Sequence, residues 1–80
     1  MATELLQIGV VTLLTQNVIY ALPYKRTRIF CETTTAVIQQ SNLVAFTTTS
    51  AVTLTDGMAD LAGAFIRCTS GNVNIRLVRA

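Results

Sequence analysis

The sequence predicts a small all-β protein, an antiparallel β-sandwich or barrel with an extended apolar N-terminal arm. Apolar and polar residues alternate in several short runs, and turn-forming residues separate these runs about every eight to twelve positions. Threonine and valine are abundant, whereas the residues that usually cover helix surfaces are scarce. We expect one antiparallel β domain over residues 17–80, preceded by an arm or first strand over residues 1–16.

The arm is predicted from the apolar run ELLQIGVVTLL at residues 4–14. The run fits neither the helical nor the strand period, and Gly9 followed by Val10 and Val11 weakens a helix. We expect extended chain that docks on a neighbouring subunit and that can be deleted without unfolding the domain. The alternative is the first strand of the same sheet. The run is too short and too often interrupted for a signal or membrane-spanning segment, so we expect no membrane association.

Short strands are predicted through the middle of the chain. Pro23 ends the first of them, because proline cannot donate a hydrogen bond to a sheet. In the next, Ile29 and Cys31 share one face. These strands span residues 18–22, 27–32, 36–40, 43–48 and 51–55.

Two turns bracket this series of strands. Asn17 lies in the first turn, and Asp56-Gly57 forms the second. After the second turn, residues 58–62 are expected to form one helical turn or a loop. Their apolar and polar residues do not by themselves distinguish these two alternatives.

Residues 63–80 are predicted to form a closing β-hairpin. Apolar residues alternate on both sides of residues 70–72, which is typical of two antiparallel strands joined by a tight turn. Of two possible registers, the one that places Arg67 opposite Arg76 is less favourable, because like charges would then face each other. In either register Phe65 shares the outward face with both arginines.

The composition indicates a subunit of an assembly. Of the 80 residues, 51% are hydrophobic and only 12% are charged, with a mean hydropathy of +0.53. A chain of this size buries only about 60% of its unfolded surface, so much apolar surface is left for contact with other chains. We expect a homo-oligomer, with a trimer favoured. The alternative is a compact monomer whose alanines and threonines raise the apolar fraction.

The residue types give little support for catalysis. The chain has no histidine, and its four acidic residues do not match a metal or calcium-loop spacing. We therefore expect no enzymatic activity, no metal and no cofactor. Cys31 and Cys68 lack the spacing of a metal or redox motif. They are expected to be small buried apolar residues, with a disulfide as the alternative if their strands are neighbours.

The segment YKRTR at residues 24–28 is the densest group of basic residues. It is interpreted as a solvated strand end, as a contact for an acidic protein, or as a nucleic-acid site in which Tyr24 stacks on a base. Nucleic acid is the least favoured of the three. Arg76 and Arg79 extend the group if their strand lies nearby. The residues predicted to contact a partner are apolar or basic: Leu5, Leu6, Ile8, Val10, Lys25, Arg26 and Arg28.

Three stretches resemble the small all-β virion proteins of tailed bacteriophages. They are ALPYKRTRIFCE, AVIQQSNLVAFTT and GAFIRCTSGNVNIRLVR, and the similarity spans about residues 18–80. The resemblance implies a structural protein of the virion, assembled in the host cytoplasm. It would be a capsid decoration or cement protein, commonly a trimer, that binds the major capsid protein or another virion protein. The family offers no catalytic residues, and neither the cysteines nor YKRTR matches it.

Three alternatives remain open at this point. A tail or connector subunit of the phage has the same chemistry as a head protein. A small nucleic-acid-binding β-barrel belongs to a different class and would bind single strands in a salt-dependent way. A monomeric sugar-binding module is a third class, which a stable trimer would exclude.

Overall fold

The computed structural model describes residues 4–33, 35–43, 45–47 and 49–79, and these residues form β-strands without a helix. The all-β class predicted from the sequence is confirmed. The strands are β1 (Glu4–Leu5), β2 (Thr12–Leu14), β3 (Ile19–Ala21), β4 (Thr27–Cys31), β5 (Ile38–Ser41), β6 (Ser50–Val52), β7 (Met58–Leu61), β8 (Phe65–Cys68) and β9 (Val73–Arg79).

The strands form two sheets that are not closed into a barrel. The five-stranded sheet has the order β1-β3-β8-β5-β6, and the four-stranded sheet has the order β2-β9-β4-β7. Neighbouring strands are antiparallel except β1 and β3, which are parallel. Of the two architectures expected, the arrangement is that of a sandwich.

The antiparallel pairs are nested along the chain. Strand β2 pairs with β9, β3 with β8, β4 with β7 and β5 with β6. The chain is thus arranged as one long hairpin, in which β2 to β5 pair with β6 to β9 and the bend lies between β5 and β6. This hairpin is rolled up, so that most successive strands lie in alternate sheets. Rolling also brings β9 beside β4 and β8 beside β5. This is the strand order of a jelly roll, to which β1 is added at one edge.

The core lies between the two sheets. In β9, every second side chain is buried, and the three inward residues Val73, Ile75 and Leu77 are at most 2% exposed. Tyr20 and Ile66 face them from the other sheet as part of the same apolar cluster. Burying an apolar side chain of this size stabilises a fold by about 1.5–3 kcal/mol, so the shared inward face holds the sheets together.

The closing hairpin predicted for residues 63–80 is wrong. Strands β8 and β9 alternate as expected, but they lie in different sheets and do not pair. Their apolar sides face each other across the core. The loop between them is stabilised by hydrogen bonds from distant parts of the chain: Val37 N donates to Ser70 Oγ, and Gln16 N donates to Asn72 Oδ1. Alternation fixes which side of a strand is buried, not whether its partner lies beside it or across from it.

A tight turn does occur at Asp56-Gly57, as predicted. Both residues have positive φ, 53° and 78°, as a type I′ turn requires. Thr55 and Met58 exchange two backbone hydrogen bonds across it, of 2.8 and 3.0 Å. The residues that follow form β7, and the expected helical turn or loop over residues 58–62 is wrong. Pairing with β4 buries the inward side of β7 and so stabilises extended chain over a helix.

Most of the predicted middle strands are confirmed with shifted ends, as β3, β4, β5 and β6. Asn17 has a φ of 64° in the predicted turn. The strand expected over residues 43–48 is wrong for its described part, which is loop, while residues 44 and 48 lie outside the described residues. In this loop Phe46 has a φ of 57°, a strained value for a bulky side chain. A favourable contact at Phe46 must offset this cost.

The N-terminal segment is part of the sandwich. Strand β1 pairs with β3, β2 pairs with β9, and Gly9 N donates to Leu77 O at 2.8 Å. Leu6 is 2% exposed and Leu14 is fully buried. The described part of residues 1–16 therefore closes one side of both sheets. Deletion of this segment should therefore unfold the domain, contrary to the expectation from the sequence.

Leu13 and Leu14 offer a matched test of this arrangement. Leu14→Ala should lower the free energy of unfolding by about 2–5 kcal/mol, because it removes fully buried methyl groups. Leu13 is 51% exposed on the same strand, so Leu13→Ala should cost less than about 1 kcal/mol. Urea unfolding followed by circular dichroism gives both values. Equal effects would show that the segment does not pack as described.

Candidate partner-contact surface

The N-terminal segment presents apolar side chains at one side of the sandwich. Leu5 on β1 is 59% exposed and Val11 is 69% exposed. Val10 and Leu13 are about half exposed as well. Leu5 and Val10 line the same shallow groove. The exposed residues thus border the edges of both sheets.

A turn at Gly9 separates β1 from β2 and precedes the exposed Val10 and Val11. Gly9 has a φ of 79°, a left-handed conformation that residues with a side chain rarely adopt. The chain turns there, and Val10 and Val11 are carried away from the sheet before β2 begins. Because nothing lies within 4 Å of the position a Cβ would occupy, backbone conformation and not space favours glycine.

Two of the apolar residues predicted to contact a partner face inward or partly inward. Leu6 lies in the core, and its side chain is not on the surface of the chain. Ile8 is half-buried and packs against the core cluster. Of the four apolar residues predicted for contact, Leu5 and Val10 are exposed. Val11 and Leu13, which the sequence analysis did not select, are exposed beside them.

The basic segment lies at one end of the four-stranded sheet. Lys25 and Arg26 are exposed in the loop between β3 and β4. The guanidinium of Arg79 lies over the ring of Tyr24, with its carbon 4.6 Å from the ring centroid. Strand β9 therefore lies near YKRTR, and Arg79 extends this basic group. The pairing of Arg79 with Thr27 in β4 produces this contact.

Arg28 is engaged with an acidic side chain. Its Nε donates to Asp60 Oδ1 at 2.9 Å, across the pairing of β4 with β7. The two side chains are 49% and 73% exposed, and a surface pair of this kind contributes at most about 1 kcal/mol. The pair contributes more to orienting Arg28 than to stability.

Outward side chains of the four-stranded sheet form three rows. Cross-strand pairing aligns Leu13, Asn74 and Glu32 in the first row, Arg76, Phe30 and Met58 in the second, and Val78, Arg28 and Asp60 in the third. We call these nine residues the arginine face. In its middle row, the guanidinium carbon of Arg76 lies 5.4 Å from the centroid of the Phe30 ring.

The opposite sheet has a different outward face. Arg67 lies there, so the expectation that Arg67 and Arg76 share one face is wrong, because β8 and β9 belong to different sheets. Phe46 from the loop after β5 packs on the guanidinium of Arg67 at 4.6 Å and is itself 7% exposed. Arg67 Nη2 also donates to Gln39 Oε1 at 2.7 Å. This contact offsets the backbone strain at Phe46 and covers that face.

The structure does not gather the seven predicted contact residues into one cluster. Leu5 and Val10 lie along the N-terminal side, Arg28 on the arginine face, and Lys25 and Arg26 on the end loop. A groove lined by Val11, Phe30 and Arg76 connects the N-terminal side to the arginine face. Positive charge in YKRTR indicated the end loop, but no local signal in the sequence pointed to Arg76 with Phe30.

The two cysteines are free thiols in different sheets. Cys68 is fully buried, as expected, and its Sγ donates to Gly71 O at 3.2 Å. Burial raises the pKa of the Cys31 thiol from 9.0 to about 11, and the nearby Cys68 adds to the effect. A thiol with a raised pKa is a poor nucleophile at neutral pH.

The described residues contain no cluster with the composition of a metal site. No three histidine, cysteine or acidic side chains come together among them. Glu32 accepts from Asn74 N and Nδ2 at 3.2 and 3.1 Å, and Asp60 is held by Arg28. The described part of the chain also contains no helix with the length and apolar character of a membrane span.

Comparison with known proteins finds no matching family model, and neither a curated protein nor a solved structure with significant similarity to the chain.

The raised pKa of Cys31 predicts its reactivity. In a Cys68→Ala variant, Cys31 should react with a disulfide reagent more slowly at pH 8 than the thiol of the urea-unfolded chain. The rate should rise only well above pH 9.0, because burial, the larger cause of the raised pKa, remains in this variant. In the wild-type protein, the unfolded thiol loses its proton first, near 9.0, so stability should also fall between pH 9.0 and about 11. A rate that is the same in the folded and unfolded chains would contradict this environment.

Proposed function

We propose that this protein is a structural virion protein that binds the head of a tailed bacteriophage as a decoration or cement protein. The observation that supports contact with protein is the row of exposed apolar side chains at the N-terminal side, Leu5, Val10, Val11 and Leu13. Several large apolar side chains exposed on one side of a small domain are typical of interaction sites. The resemblance to small virion proteins over about residues 18–80 supports the phage head as the partner.

The jelly-roll strand order agrees with this proposal as a fold-level analogy. Viral capsid domains use the same order, but so do lectins and cupins, so the fold alone does not select a function. A tail or connector subunit would use the same surface. The major capsid protein is the proposed partner, and another virion protein is the alternative.

A small nucleic-acid-binding protein is the second candidate, because five of the six basic residues lie on or beside the four-stranded sheet. These residues are Lys25, Arg26, Arg28, Arg76 and Arg79. Against it, Arg28 is paired with Asp60 and the Tyr24 ring is covered by Arg79. Single-strand binding would need such rings open for base stacking. Protein contact is therefore the better supported of the two.

The N-terminal contact can be tested with exposed residues alone. Heads of the encoding phage that lack this protein should bind the double variant Leu5→Glu, Val10→Glu at least about tenfold more weakly than wild type, because charges would be buried in an apolar contact. Leu43→Glu is the control, since Leu43 is also about half exposed but lies after β5. Sedimentation with heads measures the bound fraction. Wild-type binding by the double variant would exclude this surface.

Association is tested separately by light scattering on the isolated protein. The chain has a mass of 8.7 kDa, and we expect a particle of about three times this mass. A trimer buries apolar surface that the small core leaves exposed. A mass of 8.7 kDa at micromolar concentrations would contradict self-association and would favour a protein that assembles only on its partner.

A further inference from the structure

We propose that the arginine face docks onto carboxylate groups of an acidic protein surface. This inference deepens the proposed function, because it names the face and the chemistry by which the chain would meet a capsid protein. It commits to one occupant, a protein surface rich in aspartate or glutamate. Four observations support it: the openness of the face, the availability of its guanidinium groups, the charge beside it and the state of its aromatic rings.

The arginine face is the open one of the two outward faces. On the five-stranded sheet, Phe46 covers Arg67, and Gln39 accepts its hydrogen bond. On the arginine face, Met58 is 39% exposed and Arg76 is exposed. The chain thus covers the Arg67 part of one sheet with its own loop and leaves the arginine face accessible to a partner.

Two guanidinium groups on this side lie over aromatic rings. Arg76 lies over Phe30 at 5.4 Å and Arg79 over Tyr24 at 4.6 Å. A guanidinium that stacks through its plane keeps its N–H edge available, and that edge matches the two oxygens of a carboxylate. No side-chain hydrogen bond joins the Arg76 or Arg79 guanidinium to another described residue. Both groups therefore remain available as donors to a partner.

Positive charge on this side comes from residues beside the arginine face, because within the face Arg28 and Arg76 balance Glu32 and Asp60. Asp60 is bound to Arg28, and both oxygens of Glu32 accept from Asn74. Lys25 and Arg26 stand exposed on the adjoining loop. Together with Arg79, these two residues make the end of the four-stranded sheet beside the arginine face positive. Charge complementarity then favours an acidic partner.

The same stacking favours protein over nucleic acid. The guanidinium groups occupy one side of the Phe30 and Tyr24 rings, on which bases would otherwise stack. Leu13, Met58 and Val78 lie among the charged residues of the face. A mixture of arginine, aromatic and methionine side chains is typical of protein interfaces.

Poly-L-glutamate of about 20 residues serves as the probe, with the full chain labelled for NMR. We expect shifts in the backbone amides of β4 and β9 and in the Nε–H signals of Arg76 and Arg79, and only small shifts in β8. Binding should weaken with salt, because exposed charges are screened. Shifts centred on the five-stranded sheet, or none at millimolar probe, would overturn the proposal.

Three substitutions make the test specific. Arg76→Gln should weaken poly-L-glutamate binding about tenfold, the loss expected for a charged hydrogen bond. Arg67→Gln removes the same charge from the covered face and should leave binding unchanged, with thermal unfolding used to verify that both variants fold. Arg76→Lys should restore less than half of the lost affinity, since lysine keeps the charge but not the planar edge. Equal effects of Arg76→Gln and Arg67→Gln would refute the assigned face.

An oligothymidylate of similar charge is the competing probe. If it binds more tightly than poly-L-glutamate and shifts the same residues, the face is a nucleic-acid site and the proposal is wrong. Head binding separates the two proposals. If the wild-type protein binds poly-L-glutamate but does not bind phage heads, only the phage-head function is rejected. If it binds phage heads but does not bind poly-L-glutamate, only the carboxylate-binding surface is rejected.

Discussion

Strand β9 is the element on which the rest of the structure depends. It is the longest strand, and it pairs with β2 on one side and β4 on the other. Its inward residues Val73, Ile75 and Leu77 form the middle of the core, and Arg76 lies at the middle of the arginine face. The alternation of side chains along one strand therefore determines both the stability of the sandwich and the character of its open surface.

Alternation allowed much of the fold to be predicted. The inward sides of β4, β8 and β9 and the turns at Asn17 and Asp56-Gly57 follow from sequence pattern and turn chemistry. The pairing of strands does not follow from alternation. An alternating strand can bury its apolar side whether the next strand pairs with it in the same sheet or faces it from the other sheet. For that reason β8 and β9 were expected to pair. Strand β7 was missed because its four residues become extended only through pairing with β4.

The candidate surface was predicted only in part. Local charge identified Lys25, Arg26 and Arg28, and local hydrophobicity identified the N-terminal segment. Which of its leucines face out depends on tertiary contacts: Leu5 and Leu6 are adjacent, yet one is 59% exposed and the other 2%. The contact of Arg76 with Phe30 joins strands more than forty residues apart, so no short stretch of sequence contains it. The fold fixes the geometry, whereas the chemistry comes from these individual side chains.

The nested pairing of the strands has a consequence for how the protein folds. Thr12 pairs with Ile75, more than sixty residues later, and the pairs inside it are nested down to the bend between β5 and β6. Closing such large loops costs chain entropy before the outer contacts form, so high contact order implies slow folding for a chain of this size. During synthesis β2 is made long before β9 leaves the ribosome. Until then Leu14 and its neighbours lack their partners, and the nascent chain presents apolar edges that are prone to aggregation.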